Sequence, residues 1–253
     1  QWRLAQVPAA SGALVALDPN NGAILALVCG YDYYSIKFNR EIQAKRQPGS
    51  GIKPINYSAA LEAGYTAASL INEAPVVTEN PGQDDSWRPT NDSGKFYGPT
   101  RLRLALTKSR NLVSIRLLRA MGVSHLLEHA KNFGFNTDEL PHNLSLALGS
   151  GEATPLQMAR AYSVLANGGY LIDPFFISRI EKDNGELVYT ADPATVTDCD
   201  HCMQEEDNPE ATQKSAPRTI SPENRYIMYS MMQDVITRGT ARSEERRVGS
   251  GGG

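Results

Sequence analysis

Two serines, a lysine and an asparagine have the types and spacing for acyl transfer: Ser50, Lys53, Ser109 and Asn111. A serine hydroxyl is a weak nucleophile until a base takes its proton. Residues three apart share a helix face, so Ser50 and Lys53 can meet. A lysine serves as base when burial or a neighbouring cation lowers its pKa. Pro48-Gly49 signals a turn just upstream, and Pro54 is tolerated only near a helix start. The helix is therefore predicted to begin close to Ser50, whose reacting centre would face outward backbone N–H groups. Ser109 can relay a proton between Lys53 and a leaving group. The Asn111 amide can hold a substrate amide and the lysine together. A Ser-x-x-Lys pair alone also describes ordinary helix-cap chemistry beside a surface lysine.

The elements that must position these residues follow from pattern. Gly12–Leu17 and Ala23–Val28 are apolar runs flanking Asp18-Pro19-Asn20-Asn21-Gly22, which predicts a hairpin of two buried strands. Residues 55–63 continue the serine helix, and Gly64 can cap it. Residues 71–100 are rich in Pro, Asn, Asp and Gly and read as a long loop with short pieces of structure. Residues 102–106 resume a helical pattern, and the stripe Leu112, Ile115, Leu117, Leu118, Met121 ends at Gly122. A further helix is predicted over 124–133. Thr154-Pro155-Leu156-Gln157 is a capping-box start for a helix running to Asn167. Phe175–Ile180 and Leu187–Tyr189 flank Asp183-Asn184-Gly185, a second hairpin signal. Ser221-Pro222 opens a last helix through Val235.

The chain has 253 residues, a net charge of −3, 41% hydrophobic and 21% charged residues. That composition suits a folded globular protein and gives no reason to expect nucleic-acid binding. No apolar run reaches the roughly 18 residues of a membrane helix, and no stretch reads as a signal peptide, so any targeting segment of an exported parent is expected outside this chain. Cys199-Asp200-His201-Cys202 lacks a second pair for zinc and reads as loop cysteines open to a local disulfide. Cys29 ends a strand and is expected to be buried. His125 and His129 have metal-compatible spacing but no third ligand, so they read as partly exposed residues of an amphipathic helix; no metal or cofactor is expected. Residues 197–216 are acidic and breaker-rich and read as a mobile insertion. Residues 242–253 belong to no domain: Arg242–Gly249 reads like the in-frame translation of a sequencing-adapter oligonucleotide, followed by a Gly-rich linker.

Ser50-Gly51-Ile52-Lys53 with Ser109-Arg110-Asn111 resembles the signature of penicillin-binding proteins and class A β-lactamases. Ala13–Pro19, Phe38-Asn39-Arg40, Arg46–Ser50, Lys108–Asn111, Leu148–Gly151 and Asn167-Gly168-Gly169 extend the resemblance to class A penicillin-binding proteins, most closely the Gram-negative 1A subgroup, over residues 1–241. The resemblance implies an α/β (α+β) fold, a helix cluster against an antiparallel sheet with its last strands missing. It implies a peptidoglycan D,D-transpeptidase that acylates Ser50 with a D-Ala-D-Ala stem peptide and binds penicillin covalently. Lys53 is then base, Ser109 relay and substrate contact, and Asn111 substrate and lysine anchor. The implied partners are stem peptides and β-lactams. The implied place is the periplasmic side of the bacterial inner membrane, with an anchor and a glycosyltransferase domain upstream of this chain. Two departures stand out. Cys29 replaces a family Gly, and the third motif, Lys-Thr-Gly, does not occur, which leads us to expect a truncated, inactive fragment. The alternatives are a β-lactamase-like serine hydrolase, for which Glu152 is the candidate water-activating base, and a non-catalytic β-lactam-binding module.

Overall fold

The computed structural model describes residues 11–30, 38–76, 87–197 and 214–242. The chain forms two compact units, each assembled from two stretches of sequence: residues 1–46 with 153–220, and residues 47–152 with 221–253.

The first unit is built on the hairpin of β1 (Ala13–Leu17) and β2 (Ile24–Cys29), antiparallel with Ala13 opposite Cys29; against expectation neither strand is buried, and Leu14, Leu25 and Val28 are exposed. A short helix α1 (Arg40–Gln43) is capped by Asn39, whose side chain accepts from the Glu41 and Ile42 amides. The later helix α6 (Pro155–Ala166) packs against β1 and α1. Its predicted capping box is present: Gln157 N–H donates to Thr154 Oγ1 at 3.1 Å, and Thr154 N–H donates to Gln157 Oε1 at 2.8 Å. The second predicted hairpin is β5 (Arg179–Glu181) with β6 (Leu187–Thr190). Cys29 is only half-buried, against expectation, because it closes an edge strand; its Sγ lies 3.9 Å from the Phe38 carbonyl. Most of the acidic segment 197–216, with Cys199 and Cys202, lies outside the described residues. Its last residues do not stand apart: the Ala216 amide donates to the Thr195 carbonyl at 2.8 Å.

The second unit is a helix cluster around α2 (Lys53–Glu62), which buries eight consecutive residues, Lys53 to Ala60. No amphipathic stripe survives because neighbours press on every side: α3 (Leu102–Thr107), α4 (Asn111–Met121), α5 (Val123–Lys131) and α7 (Pro222–Thr237). Ile55, Leu112, Ile115, Leu117, Leu118, Leu126 and Met228 form the interior. Buried polar groups of α2 find partners there, the Asn56 side-chain oxygen excepted. Asn56 donates to the Ser114 carbonyl at 3.1 Å, and Ser58 Oγ donates to Asn224 Oδ1 at 2.9 Å.

The short pieces of structure expected in the long loop of residues 71–100 include a hairpin. Strands β3 (Leu70–Glu73) and β4 (Gly98–Arg101) pair antiparallel, with Glu73 opposite Gly98. The Pro and Gly of β4 hid it: neither favours a strand interior, but both are tolerated at an edge. His125 and His129 do not form a metal pair. His129 is 5% exposed and joined to Ser58, while His125 Nε2 meets the Ala59 carbonyl at 3.0 Å. His125 is partly exposed, as expected, whereas His129 is buried against α2. Among the described residues no cluster of metal-ligating side chains exists, and no helix is long and apolar enough to cross a membrane. The tail from 243 lies outside the described residues.

Candidate active site

Ser50 sits in a 3-10 turn, Gly49–Ile52, that runs directly into α2, rather than in the first α-helical turn. The turn is seated from outside. The Gly49 amide donates to the Gly149 carbonyl at 3.3 Å, and Gly149 has φ +74° with no room for a Cβ, which would run into the Gly49 backbone. Only glycine meets both demands. Ser50 is exposed while Lys53, one turn on, is 1% exposed.

Ser109 and Asn111 reach the same place from the junction of α3 and α4. Ser109 has φ +52°, the one non-glycine residue with positive φ among those described. That left-handed backbone costs about 1 kcal/mol or more, and it turns two oxygens of one residue onto one ammonium. Lys53 Nζ donates to the Ser109 carbonyl at 2.8 Å, to Ser109 Oγ at 2.8 Å and to Asn111 Oδ1 at 2.7 Å. All three ammonium donors are thereby used. Ser109 Oγ in turn donates to Ser50 Oγ at 3.1 Å. The expected face-to-face pair of Ser50 and Lys53 is thus a chain through Ser109: Ser50 Oγ, Ser109 Oγ, Lys53 Nζ, Asn111 Oδ1.

Burial pushes the Lys53 ammonium down from the ordinary lysine range to about 8, against the upward pull of the Asp92 carboxylate. A neutral lysine is therefore accessible near physiological pH. Four residues of the site gave no sequence signal. Asn111 Nδ2 donates to the Thr90 carbonyl at 3.0 Å and to Asp92 Oδ1 at 3.4 Å, and Asn91 and Glu73 stand behind them. They fall in the stretch read as loop, where composition marks turns but not which side chain turns inward. Glu152 is exposed and takes no part in the hydrogen-bond chain.

An exposed serine, joined through a second hydroxyl to a buried lysine of lowered pKa at the head of a buried helix, is the arrangement that active-serine acyl transfer requires. The chain belongs to the penicillin-binding protein transpeptidase domain family, whose profile matches residues 12–250. A penicillin-binding protein 1A of Pseudomonas aeruginosa is 46% identical over 269 residues, covering 95% of this chain and 33% of that protein. One from Vibrio cholerae is 43% identical over 240 residues, covering 94% of this chain and 29% of its own length. The crystal structure of penicillin-binding protein 1A from Haemophilus influenzae superposes with a TM-score of 0.87 at 37% identity, over 96% of this chain and 39% of that one. Penicillin-binding protein A from M. tuberculosis, at 23% identity and TM-score 0.72, shares the fold. The chain spans about a third of the length of the curated relatives it matches.

Proposed function

We propose that this chain is the transpeptidase domain of a class A penicillin-binding protein, a domain that acts on D-Ala-D-Ala stem peptides through a Ser50 acyl-enzyme; with no Lys-Thr-Gly motif, the 253-residue chain itself is expected to acylate slowly and not to cross-link. The observation that carries the reading is the Ser109 hydroxyl, 3.1 Å from Ser50 Oγ and 2.8 Å from Lys53 Nζ. With Lys53 neutral the chain of donors reverses. Ser109 gives its proton to Lys53 as Ser50 gives its own to Ser109. Ser50 Oγ bonds to the penultimate D-Ala carbonyl carbon, and the C–N bond to the terminal D-Ala breaks. The proton held by Lys53 returns through Ser109 to the departing amine. An amine of a neighbouring strand then takes the acyl group and Ser50 regains its proton. In a β-lactam the broken C–N bond is in the ring, so the leaving amine stays attached and blocks the acceptor. Asn111 anchors Lys53, and the amide N–H that meets exposed Asp92 Oδ1 at 3.4 Å is the one that would turn to the substrate. The names of the relatives support penicillin as the probe. The family resemblance implies a placement on the periplasmic face of the inner membrane, beside a glycosyltransferase domain of the longer protein.

The test is labelling of the 253-residue chain with a fluorescent penicillin, followed by mass spectrometry of the tryptic digest. The expected adduct is on the peptide carrying Ser50, absent in Ser50→Ala, and released over hours. Label on another residue overturns the reading, and release within seconds favours the hydrolase alternative.

A further inference from the structure

Behind the catalytic side chains lies a buried carboxylate that the reaction does not use. Glu73 ends β3 with no exposed side-chain surface. Its Oε1 accepts from Asn91 Nδ2 at 2.5 Å and its Oε2 from Thr100 Oγ1 at 3.1 Å. Arg110 Nε stands 3.9 Å away, its guanidinium stacked 3.6 Å above the Tyr97 ring centroid. The buried charge is therefore both hydrogen-bonded and balanced.

Asn91 is 5% exposed and has every side-chain group engaged. Its amide nitrogen also donates to the Lys95 carbonyl at 2.8 Å. Its oxygen accepts from the Asn111 amide at 3.0 Å and the Leu112 amide at 3.3 Å. Those are the first two residues of α4, whose N–H groups have no partner within the helix, and the residue at the cap position, Arg110, makes no side-chain capping bond. Asn91 caps α4 from a distant segment. Glu73 fixes which way it points: a carboxylate only accepts, so the Asn91 nitrogen must face Glu73 and its oxygen must face the helix. A flipped amide would set N–H against N–H.

We infer that Asn91, locked by Glu73, is a positioning residue for acyl transfer: it fixes the backbone of Asn111 and so holds the Asn111 amide oxygen against Lys53. The inference rests on the reading of Ser50 as the acylated serine. Neither Glu73 nor Asn91 touches the reacting atoms. Their effect passes through the distance from Asn111 Oδ1 to Lys53 Nζ, and a misplacement of about 1 Å costs up to about a hundredfold in rate.

Three variants of the full chain test it: Asn91→Ala, Asn91→Asp, and Asn91→Asp with Glu73→Gln. Aspartate keeps an acceptor for the helix amides but sets a second carboxylate against Glu73. The double variant restores the bond with its polarity reversed, since glutamine donates and aspartate accepts. Two quantities are read. One is the Ser50 acylation rate constant by fluorescent penicillin, separated from initial binding by its concentration dependence. The other is the Lys53 titration, followed by NMR of labelled lysine without ligand; Ser109, Asn111 and Asp92 are the groups that face it. Asn91→Ala and Asn91→Asp are expected to lower the acylation rate constant about tenfold or more with initial binding within about threefold. Asn91→Ala, which adds no charge, is expected to move the Lys53 midpoint by about half a unit or more. The double variant is expected to return to within about threefold of the parent rate. An unmoved Lys53 midpoint overturns the inference. So does a double variant as slow as Asn91→Asp, or a rate loss that follows only the folded fraction. If the parent chain is not acylated at Ser50, the functional reading fails and the Lys53 titration alone decides this one.

Discussion

A lysine that makes three hydrogen bonds as an ammonium must lose one proton before it can take another. Its pKa of about 8 sets where that happens. The rate of Ser50 acylation by penicillin should therefore fall about tenfold per pH unit below 8 and level off above it. A stopped-flow profile from pH 6 to 10 checks this, and a flat profile would assign the base elsewhere. Ser109 carries a second residue-scale prediction. Its φ of +52° is a conformation that glycine adopts without strain. Ser109→Gly should keep or raise the melting temperature while removing the hydroxyl that joins Ser50 to Lys53. Acylation is expected to drop about a hundredfold, within the range for loss of proton transfer. Reduced stability with intact acylation would reverse the assignment of strain and of relay.

Among the elements, the serine turn depends on a loop a hundred residues away in sequence. Gly149 packs its backbone on Gly49, and α2 carries Lys53 rigidly because eight of its residues are buried. Gly149→Ala pushes on the turn but not on α2. It is expected to displace Ser50 from the Ser109 hydroxyl and cut acylation about tenfold or more, while the far-ultraviolet dichroism stays that of the parent. If acylation is unchanged, the turn has room that the backbone contact denies.

At the scale of the whole molecule, the second unit's stability should respond to acid through one residue. His129 is buried against Ser58 and Phe133, with Glu62, His125 and Asn224 around it. Ser58 gives its proton to Asn224, so the neutral ring donates Nε2–H to Ser58. Burial pushes the His129 pKa down to about 4 from its usual 6.5. The unfolded chain thus takes up a proton as pH falls through 6.5, and the folded chain does not until about 4. Stability is full above 6.5 and is lost progressively toward 4, by about 3 kcal/mol at about 1.4 kcal/mol per pH unit. Urea unfolding at pH 7.5 and at pH 4.5 should show that loss, and His129→Gln should shrink it. An equal loss in the variant would place the acid sensitivity on other groups.

Local patterns in the sequence determined the β1–β2 pairing, the Thr154 capping box and the boundaries of α4 and α6, and singled out Ser50, Lys53, Ser109 and Asn111, which the fold brings together. Each of these is written within a few neighbouring residues, or by a motif whose chemistry needs those side chains. Only the tertiary structure decided that Lys53 reaches Ser50 through Ser109, because the i, i+3 spacing brings two side chains to one face without saying which third group stands between them. It also decided the Gly49–Gly149 seat, the β3–β4 pairing, the buried His129, and the Glu73–Asn91 cap of α4. These are contacts between residues far apart in the chain. No local propensity encodes them, since their energy comes from desolvated polar groups finding partners that the folded chain alone brings within reach.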